Sequence, residues 1–179
     1  MRADAQQNQE RLLQVAAQAF AHEGTGASLK AIAKEAGVGI GTLYRRFPTR
    51  ETLVEAVYRN EVAGLCAAAP DLLTSQSALD ALRAWMGRFV DLMAAKHGMG
   101  DALRAVLVSE DDRMRTRYLL RDALAVLLDA GVADDVIRAG LDPYDVLMAL
   151  GGMTLIAEGA DQRGMALRMV DLLISGIAR

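Results

Sequence analysis

The chain has 179 residues, 53% of them hydrophobic, which is enough to bury a sizeable core and excludes a globally disordered protein. No apolar run reaches the roughly 18 residues of a membrane span, and the polar start MRADAQQNQE lacks the apolar segment of a signal peptide. One cysteine and two histidines exclude an internal disulfide framework and provide too few ligands for structural zinc. We therefore expect a cytoplasmic protein with no cofactor, no metal and no membrane partner.

The net charge of −3 is unevenly distributed. Residues 1–60 contain 8 Lys and Arg against 6 Asp and Glu, whereas residues 61–179 contain 12 against 17. An anionic partner is therefore expected to bind the N-terminal third of the chain. With 3 prolines and abundant Ala, Leu, Met and Arg, the composition favours helix almost everywhere, so we predict an all-α fold.

The N-terminal third predicts three helices followed by a long fourth one. An apolar stripe that ends at Gly24 forms the first helix. The two short segments SLKAIAKEAG, capped by Ser28, and GIGTLYRRF form the second and third. Thr49 can cap the fourth helix, which we expect to end just before Pro70. The predicted domains are residues 1–49 and residues 50–179, with residues 50–70 as a connecting helix.

The rest of the chain predicts a larger helical body. One helix starts near Ser77 and ends near Gly98, and a later one begins with acidic residues and stops at Gly131. Asp142 followed by Pro143 has the pattern of an N-cap before proline at the first helical position. Two further helices, YDVLMALGGMTLIAEG and MALRMVDLLISGIAR, complete the sequence.

The last two helices are apolar on more than one face, which admits two interpretations. They either form an ordinary core within one chain or a four-helix seam between two copies. We favour the homodimer, because a helix that is apolar all round must be buried. The predicted interface residues are Val146, Leu150, Met153, Leu155, Val170, Leu173, Ile174 and Ile177.

Residues 28–47, SLKAIAKEAGVGIGTLYRRF, have the pattern of a helix-turn-helix. The small Ala33 stands where the two helices approach, and Gly37 follows four residues later, where the turn requires positive φ. Apolar Ile32, Val38 and Leu43 can fill the wedge between the helices. Five matched positions at fixed offsets make this a moderately strong signal for a helix-turn-helix.

The stretch from Leu12 to Val57, above all SLKAIAKEAGVGIGTLYRRFPTRETLVEAV, resembles the DNA-binding region of the tetracycline-repressor (TetR) family. The resemblance implies a three-helix head joined by a long helix to a divergent ligand-binding and dimerisation body. It also implies that residues 39–46 form the recognition helix, which enters the major groove. The implied DNA-binding residues are Ser28, Lys30, Gly39, Ile40, Thr42, Tyr44, Arg45, Arg46, Thr49 and Arg50.

These residues have different implied roles. Thr42 and Ile40 can contact base edges and thymine methyls, and Tyr44 can donate to a phosphate. Arg45 and Arg46 can each bind phosphate or a guanine, and the sequence does not distinguish them. The other polar positions contact the DNA backbone in this interpretation. Alternatively, Lys30 and Arg50 are solvated charges, and Ser28 and Thr49 are merely caps.

Two more features of the head bear on this interpretation. Leu43 and Phe47 are predicted core residues rather than DNA contacts. Where this chain has Gly39, the family commonly has serine or threonine as the cap of the recognition helix. Glycine still caps, at a cost of only a few tenths of a kcal/mol.

The resemblance further implies a small-molecule effector that binds in the body and releases DNA. The nine methionines suit an adaptable apolar cavity, although ordinary core is the favoured interpretation for any single lining residue. The candidates are Trp85, Met86, Phe89, Met93, Leu103, Met114, Tyr118 and Met153. Nothing in the sequence identifies the effector.

Together these features predict a ligand-responsive repressor that binds a palindromic operator as a dimer. The alternative is a dimeric small-molecule-binding module whose head has lost DNA binding, which the mild basicity and Gly39 allow. An enzyme is not expected, because the sequence has no nucleophile–base set, phosphate-binding glycine loop or paired carboxylates with a credible pocket.

Overall fold

The computed structural model describes residues 2–106, 109–157 and 161–179. Nearly all of them are helical: α1 is Arg2–Glu23, α2 Leu29–Glu35, α3 Ile40–Arg46, α4 Arg50–Ser75, α5 Ala78–Gly98, α6 Gly100–Val106, α7 Glu110–Ala133, α8 Pro143–Ile156 and α9 Gln162–Ile177. Among these residues, extended pairing is limited to one isolated bridge between Ile137 and Ala178. The predicted all-α fold with an N-terminal helix-turn-helix is confirmed.

The chain forms two compact units. The first comprises the chain up to Glu61 together with Ala95–Asp112. In it, α1 packs on α2 and α2 packs on α3. Its core is built from apolar side chains of α1, α2, α3, α4, α6 and the residue just before α6: Leu12, Leu13, Phe20, Leu29, Ile32, Leu43, Leu53, Val57, Met99 and Leu103. These contacts hold the two short helices, which are too short to be stable in isolation.

The second unit comprises Val62–Ala94 and Arg113–Arg179. Trp85 lies at its centre, fully buried, and its indole N–H donates to the carbonyl of Leu65 at 2.9 Å. Ion pairs from Arg83 to Asp171 and from Arg163 to Asp91 join α5 to α9. None of the helices in the described ranges is long and apolar enough to span a membrane.

The isolated bridge and two backbone hydrogen bonds beside it, which together we call the clamp, lie beyond α9 in the second unit. Beside the bridge, the amide of Arg138 donates to the carbonyl of Ile177 at 3.0 Å, and that of Arg179 donates to Val136 at 3.1 Å. The segment after α7 is thus tied to the segment after α9.

Two predicted helix ends are wrong. Helix α4 does not stop before Pro70 but continues to Ser75 with the proline inside it. Proline removes one backbone hydrogen bond, but buried Ala69 and Leu72 keep packing on both sides of it. Helix α7 passes through Gly131 to Ala133, because this buried glycine makes room for the side chain of Ile137 rather than ending the helix.

Candidate nucleic-acid interface

The turn between α2 and α3 is fixed by local backbone hydrogen bonds. The amide of Val38 donates to Ala33 at 2.9 Å, and that of Gly37 donates to Lys34 at 3.1 Å. These two bonds form a Schellman motif, which needs a left-handed residue just after the helix. Gly37 is that residue, with φ of 72°. The predicted positive φ at this glycine is confirmed.

The wedge between the two helices is apolar, as the sequence predicts. Ile32, Ala33 and Leu43 are buried, and Val38 is half-buried. Phe47 is buried at the end of α3, so its assignment and that of Leu43 to the core are confirmed. This packing fixes α3 by one face and leaves its other faces exposed.

Helix α3 presents the predicted contact residues to solvent. Ile40 is 39% exposed and Tyr44 48%. Thr42, Arg45 and Arg46 are also exposed. Gly39 caps the helix without a side-chain bond, and its carbonyl accepts from the amide of Thr42 at 2.9 Å. The face is therefore available to a partner outside the chain.

The other predicted contacts lie at the starts of α2 and α4. Ser28 accepts from the amide of Ala31 at 3.3 Å, so its predicted capping role is confirmed. Thr49 and Thr52 cap α4 reciprocally, each hydroxyl accepting from the other residue's amide at 3.2 Å. Lys30 is exposed on the first turn of α2.

Arg50 has a structural role that the sequence does not reveal. Its Nη1 donates to the carbonyls of Thr25 and Ala27, at 2.5 and 2.6 Å. The side chain is half-buried and holds the segment before α2 against the start of α4. No local pattern signals such a contact, because the partners lie 23 and 25 residues earlier in the chain.

The acidic Glu51, whose role the sequence also does not reveal, adjoins this region. Hydrogen bonds from its own backbone amide and from Thr49 lower the pKa of Glu51. Its carboxylate is therefore ionised at neutral pH and stands one residue from Arg50. A phosphate group at this end of α4 would be repelled by this negative charge.

The predicted effector-lining residues are dispersed in the structure. Trp85, Met86 and Phe89 are buried in the core of the second unit, and Leu103 is buried in the first. Tyr118 is 45% exposed. Met93, Met114 and Met153 are half-buried.

The second unit has a cavity elsewhere, of about 280 Å³. Its lining comes from α5, from α8 and the residue after it, and from α9: Val90, Ala94, Thr154, Ala157, Gln162, Arg163 and Ala166. Thr154 is buried there, with its hydroxyl donating to Gly151 at 2.8 Å. None of the eight residues expected from the sequence lines this cavity.

The residues predicted for a dimer interface mostly face inward. Val146, Leu150, Val170, Ile174 and Ile177 are at most 5% exposed within the single chain, so they belong to its own core. Met153 and Leu173 are half-buried. Leu155 differs from them, with 67% of its surface exposed.

A different set of apolar side chains on α8 and α9 remains exposed. Its members are Met148, Leu155 and Ile156 of α8 and Met165 and Leu172 of α9, with Ile156 and Leu172 reaching 68% and 73%. A β-carbon added at Gly151, Gly152 or Gly176 would meet no atom within 4 Å. We call these five side chains the apolar face of α8 and α9.

Comparison with known proteins agrees with this architecture. Residues 12–57 match the family described as bacterial regulatory proteins, tetR family, and residues 77–179 match the SbtR-like C-terminal domain of transcriptional regulators. A TetR transcriptional regulator from Streptomyces coelicolor is 48% identical, with 94% of this chain and 97% of that one covered and a TM-score of 0.84. A TetR transcription regulatory protein from Mycobacterium vanbaalenii is 32% identical over 99% of both chains, with a TM-score of 0.79.

Curated relatives match over a shorter region. A helix-turn-helix-type transcriptional regulator of Staphylococcus aureus strain USA300 is 40% identical over 63 residues, or 35% of this chain and 34% of that protein. The chain thus matches about a third of the length of these relatives. The two family matches and the near full-length solved relatives together identify the chain: it belongs to the TetR family of DNA-binding transcriptional regulators.

Proposed function

We propose that this chain is a ligand-responsive repressor that binds a palindromic operator as a homodimer. The observation that carries the proposal is the exposed outer face of α3 on a complete helix-turn-helix. In this proposal residues 1–49 bind DNA, and residues 50–179 bind the effector and dimerise. Two heads on one dimer would occupy successive major grooves, about 34–36 Å apart.

The proposed DNA contacts fall into two classes. Thr42 and Ile40 lie on the first turn of α3 and would contact base edges, where a hydroxyl and an apolar side chain can tell bases apart. Tyr44, Ser28 and Lys30 would contact phosphates, which fix the register of the head on the duplex. Thr49 and Arg50 would contribute through the N-terminus of α4, since the Arg50 side chain already holds Thr25 and Ala27.

The apolar face of α8 and α9 supports dimerisation. Five large apolar side chains exposed on two neighbouring helices are unusual for a monomer. The open glycines of α8 and α9 would let another pair of helices approach closely. We therefore propose Met148, Leu155, Ile156, Met165 and Leu172 as the interface, with Leu155 retained from the residues predicted by sequence.

The effector would bind within the second unit. The cavity of about 280 Å³ described above is lined by four apolar side chains and by the polar side chains of Thr154, Gln162 and Arg163. A ligand that binds better to one arrangement of the two heads would shift the dimer toward or away from DNA. Because its partner is DNA, we propose a cytoplasmic location.

Duplex binding at two salt concentrations tests the proposal. The purified protein should bind the duplex upstream of its own gene, or a sequence selected from a random library, tightly at about 50 mM salt. Affinity should fall steeply at about 200 mM, because neutralised phosphates release counterions. Binding to neither duplex, by a protein that still sediments as a dimer, would favour the alternative of a ligand-binding module with a degenerate head.

A pair of charge-matched variants sharpens this test. Lys30→Ala should reduce the slope of log affinity against log salt by about 1, since one phosphate contact is lost. Arg88→Ala removes the same charge from α5, in the second unit, where the side chain is exposed. It should leave the slope unchanged. Equal effects of the two variants would assign the salt dependence to net charge rather than to the head.

A further inference from the structure

Helix α3 ends in two adjacent arginines, Arg45 and Arg46, whose side chains have different surroundings. The guanidinium of Arg46 donates to the side-chain oxygen of Gln9 on α1. Its side chain is therefore held back against the first helix of the head. Arg45 is exposed and, within the described part of the chain, makes no hydrogen bond or ion pair.

The direction of Arg45 follows from helix geometry. Successive residues of an α-helix are rotated by about 100°, so positions two before and two after a residue lie nearly opposite it. Leu43 is fully buried and marks the core side of α3. Gly41 and Arg45 are those two positions, and they share one line along the outer face. This line is the part of α3 that points directly away from the protein.

Gly41 adds a second observation. A β-carbon at Gly41 would meet no atom within 4 Å, so packing inside the protein does not require glycine there. Glycine inside a helix costs about 1 kcal/mol relative to alanine. Helical side chains lean toward the helix N-terminus, so the bare turn at Gly41 lies along the path of the Arg45 side chain.

We propose that Arg45 is the arginine that reads a base, donating two hydrogen bonds to O6 and N7 of one guanine in each operator half-site. This assignment rests on the proposed operator binding. Gly41 leaves the groove-facing surface flat, so that the guanidinium reaches the base edge near the start of α3. Arg46, held by Gln9, is a positioning residue that orients the recognition helix against α1.

A base-substitution scan tests the assignment. The selected operator is changed one symmetric base pair at a time, and each duplex is titrated with the wild type, Arg45→Ala and Arg46→Ala at one salt concentration. The wild type should lose roughly 10- to 100-fold in affinity at one G·C position. Arg45→Ala should bind all duplexes more weakly and show no preference at that position, with the other preferences kept. Arg46→Ala should keep every preference.

Other results would overturn it. Preference at the G·C position that survives Arg45→Ala but is lost in Arg46→Ala would reverse the two roles. Preserved preferences with uniform weakening in Arg45→Ala would make this residue a phosphate contact. A wild type that selects no sequence from the library would instead refute operator binding itself. Thermal unfolding is the control for folding, since Arg45 has no hydrogen-bond or ion-pair partner among the residues that the structure describes, and its removal should leave Tm unchanged.

Discussion

The surface of the helix-turn-helix and the surface of α8 and α9 are determined by the sequence in different ways. In the head, each turn and cap depends on residues within a few positions, such as Ser28 with Ala31 and Gly37 with Lys34. In α8 and α9, apolar residues occupy more than one face, and no local rule says which face is the core. The structure divides them into an inner face centred on Leu150 and Ile174 and an outer apolar face. Local chemistry specifies the first surface, and only the packed chain specifies the second.

The largest effects are expected from substitutions that are confined to the inner face or to the outer face of α8 and α9. Leu150→Ala removes a fully buried side chain and should destabilise the fold by about 2–5 kcal/mol, without changing association. Leu155→Arg with Leu172→Arg places charge on exposed positions, so it should produce folded monomers that bind the operator poorly. Sedimentation and thermal unfolding measure both. A double variant that remains a dimer with unchanged Tm would remove the apolar face from the interface.

A smaller effect is expected in the turn of the head. Gly37→Ala places a β-carbon at φ of 72°, which should cost about 1–2 kcal/mol and lower Tm by roughly 3–6 °C. Gly64→Ala is the matched control, because this helical glycine has an ordinary φ and open space around it. It should raise Tm by roughly 3 °C. Equal shifts of the same sign would show that the turn does not depend on glycine.

The smallest effect concerns charge at the start of α4. Hydrogen bonds lower the pKa of Glu51 in the folded chain, so its ionised form stabilises the fold above its ordinary pKa of 4.5. Glu51→Gln should lower Tm slightly at pH 7, and the difference should shrink as the pH falls below 4.5 and vanish as the pH passes through the lowered pKa. A pH series of thermal unfolding curves measures it.

Glu61→Gln is the control with the opposite sign. Burial raises the pKa of Glu61, so ionisation costs stability as the pH rises through its ordinary value. This variant should unfold at a slightly higher temperature than the wild type at pH 7 and show no difference in acid. Shifts of the same sign in both variants at pH 7 would contradict the contrast between a hydrogen-bonded and a desolvated carboxylate.

The sequence predicts the fold class and the geometry of the head because these depend on neighbouring residues. Ser28, Gly37 and Leu43 have short-range reasons to be where they are. The contacts of Arg46 with Gln9 and of Arg50 with Thr25 join residues far apart in the chain, so no periodic pattern encodes them.

The body is less predictable for the same reason. Hydrophobic spacing indicates that a residue is buried, but it does not indicate which residues pack against it. Core residues and cavity-lining residues therefore show the same pattern in sequence. Trp85 fits either, and its hydrogen bond to Leu65 assigns it to the core. The prediction that α4 ends before Pro70 is wrong for a different reason. Packing along α4 outweighs the one hydrogen bond that proline removes.

The clamp between Ile137 and Ala178 bears on the thermodynamics of assembly. It fastens the two ends of the segment that contains α8 and α9, so these helices are restrained before any second chain arrives. Association costs less conformational entropy when the surfaces that meet are already ordered. In the proposed dimer, these two backbone hydrogen bonds would therefore lower the entropic cost of association by holding α8 and α9 in place beforehand.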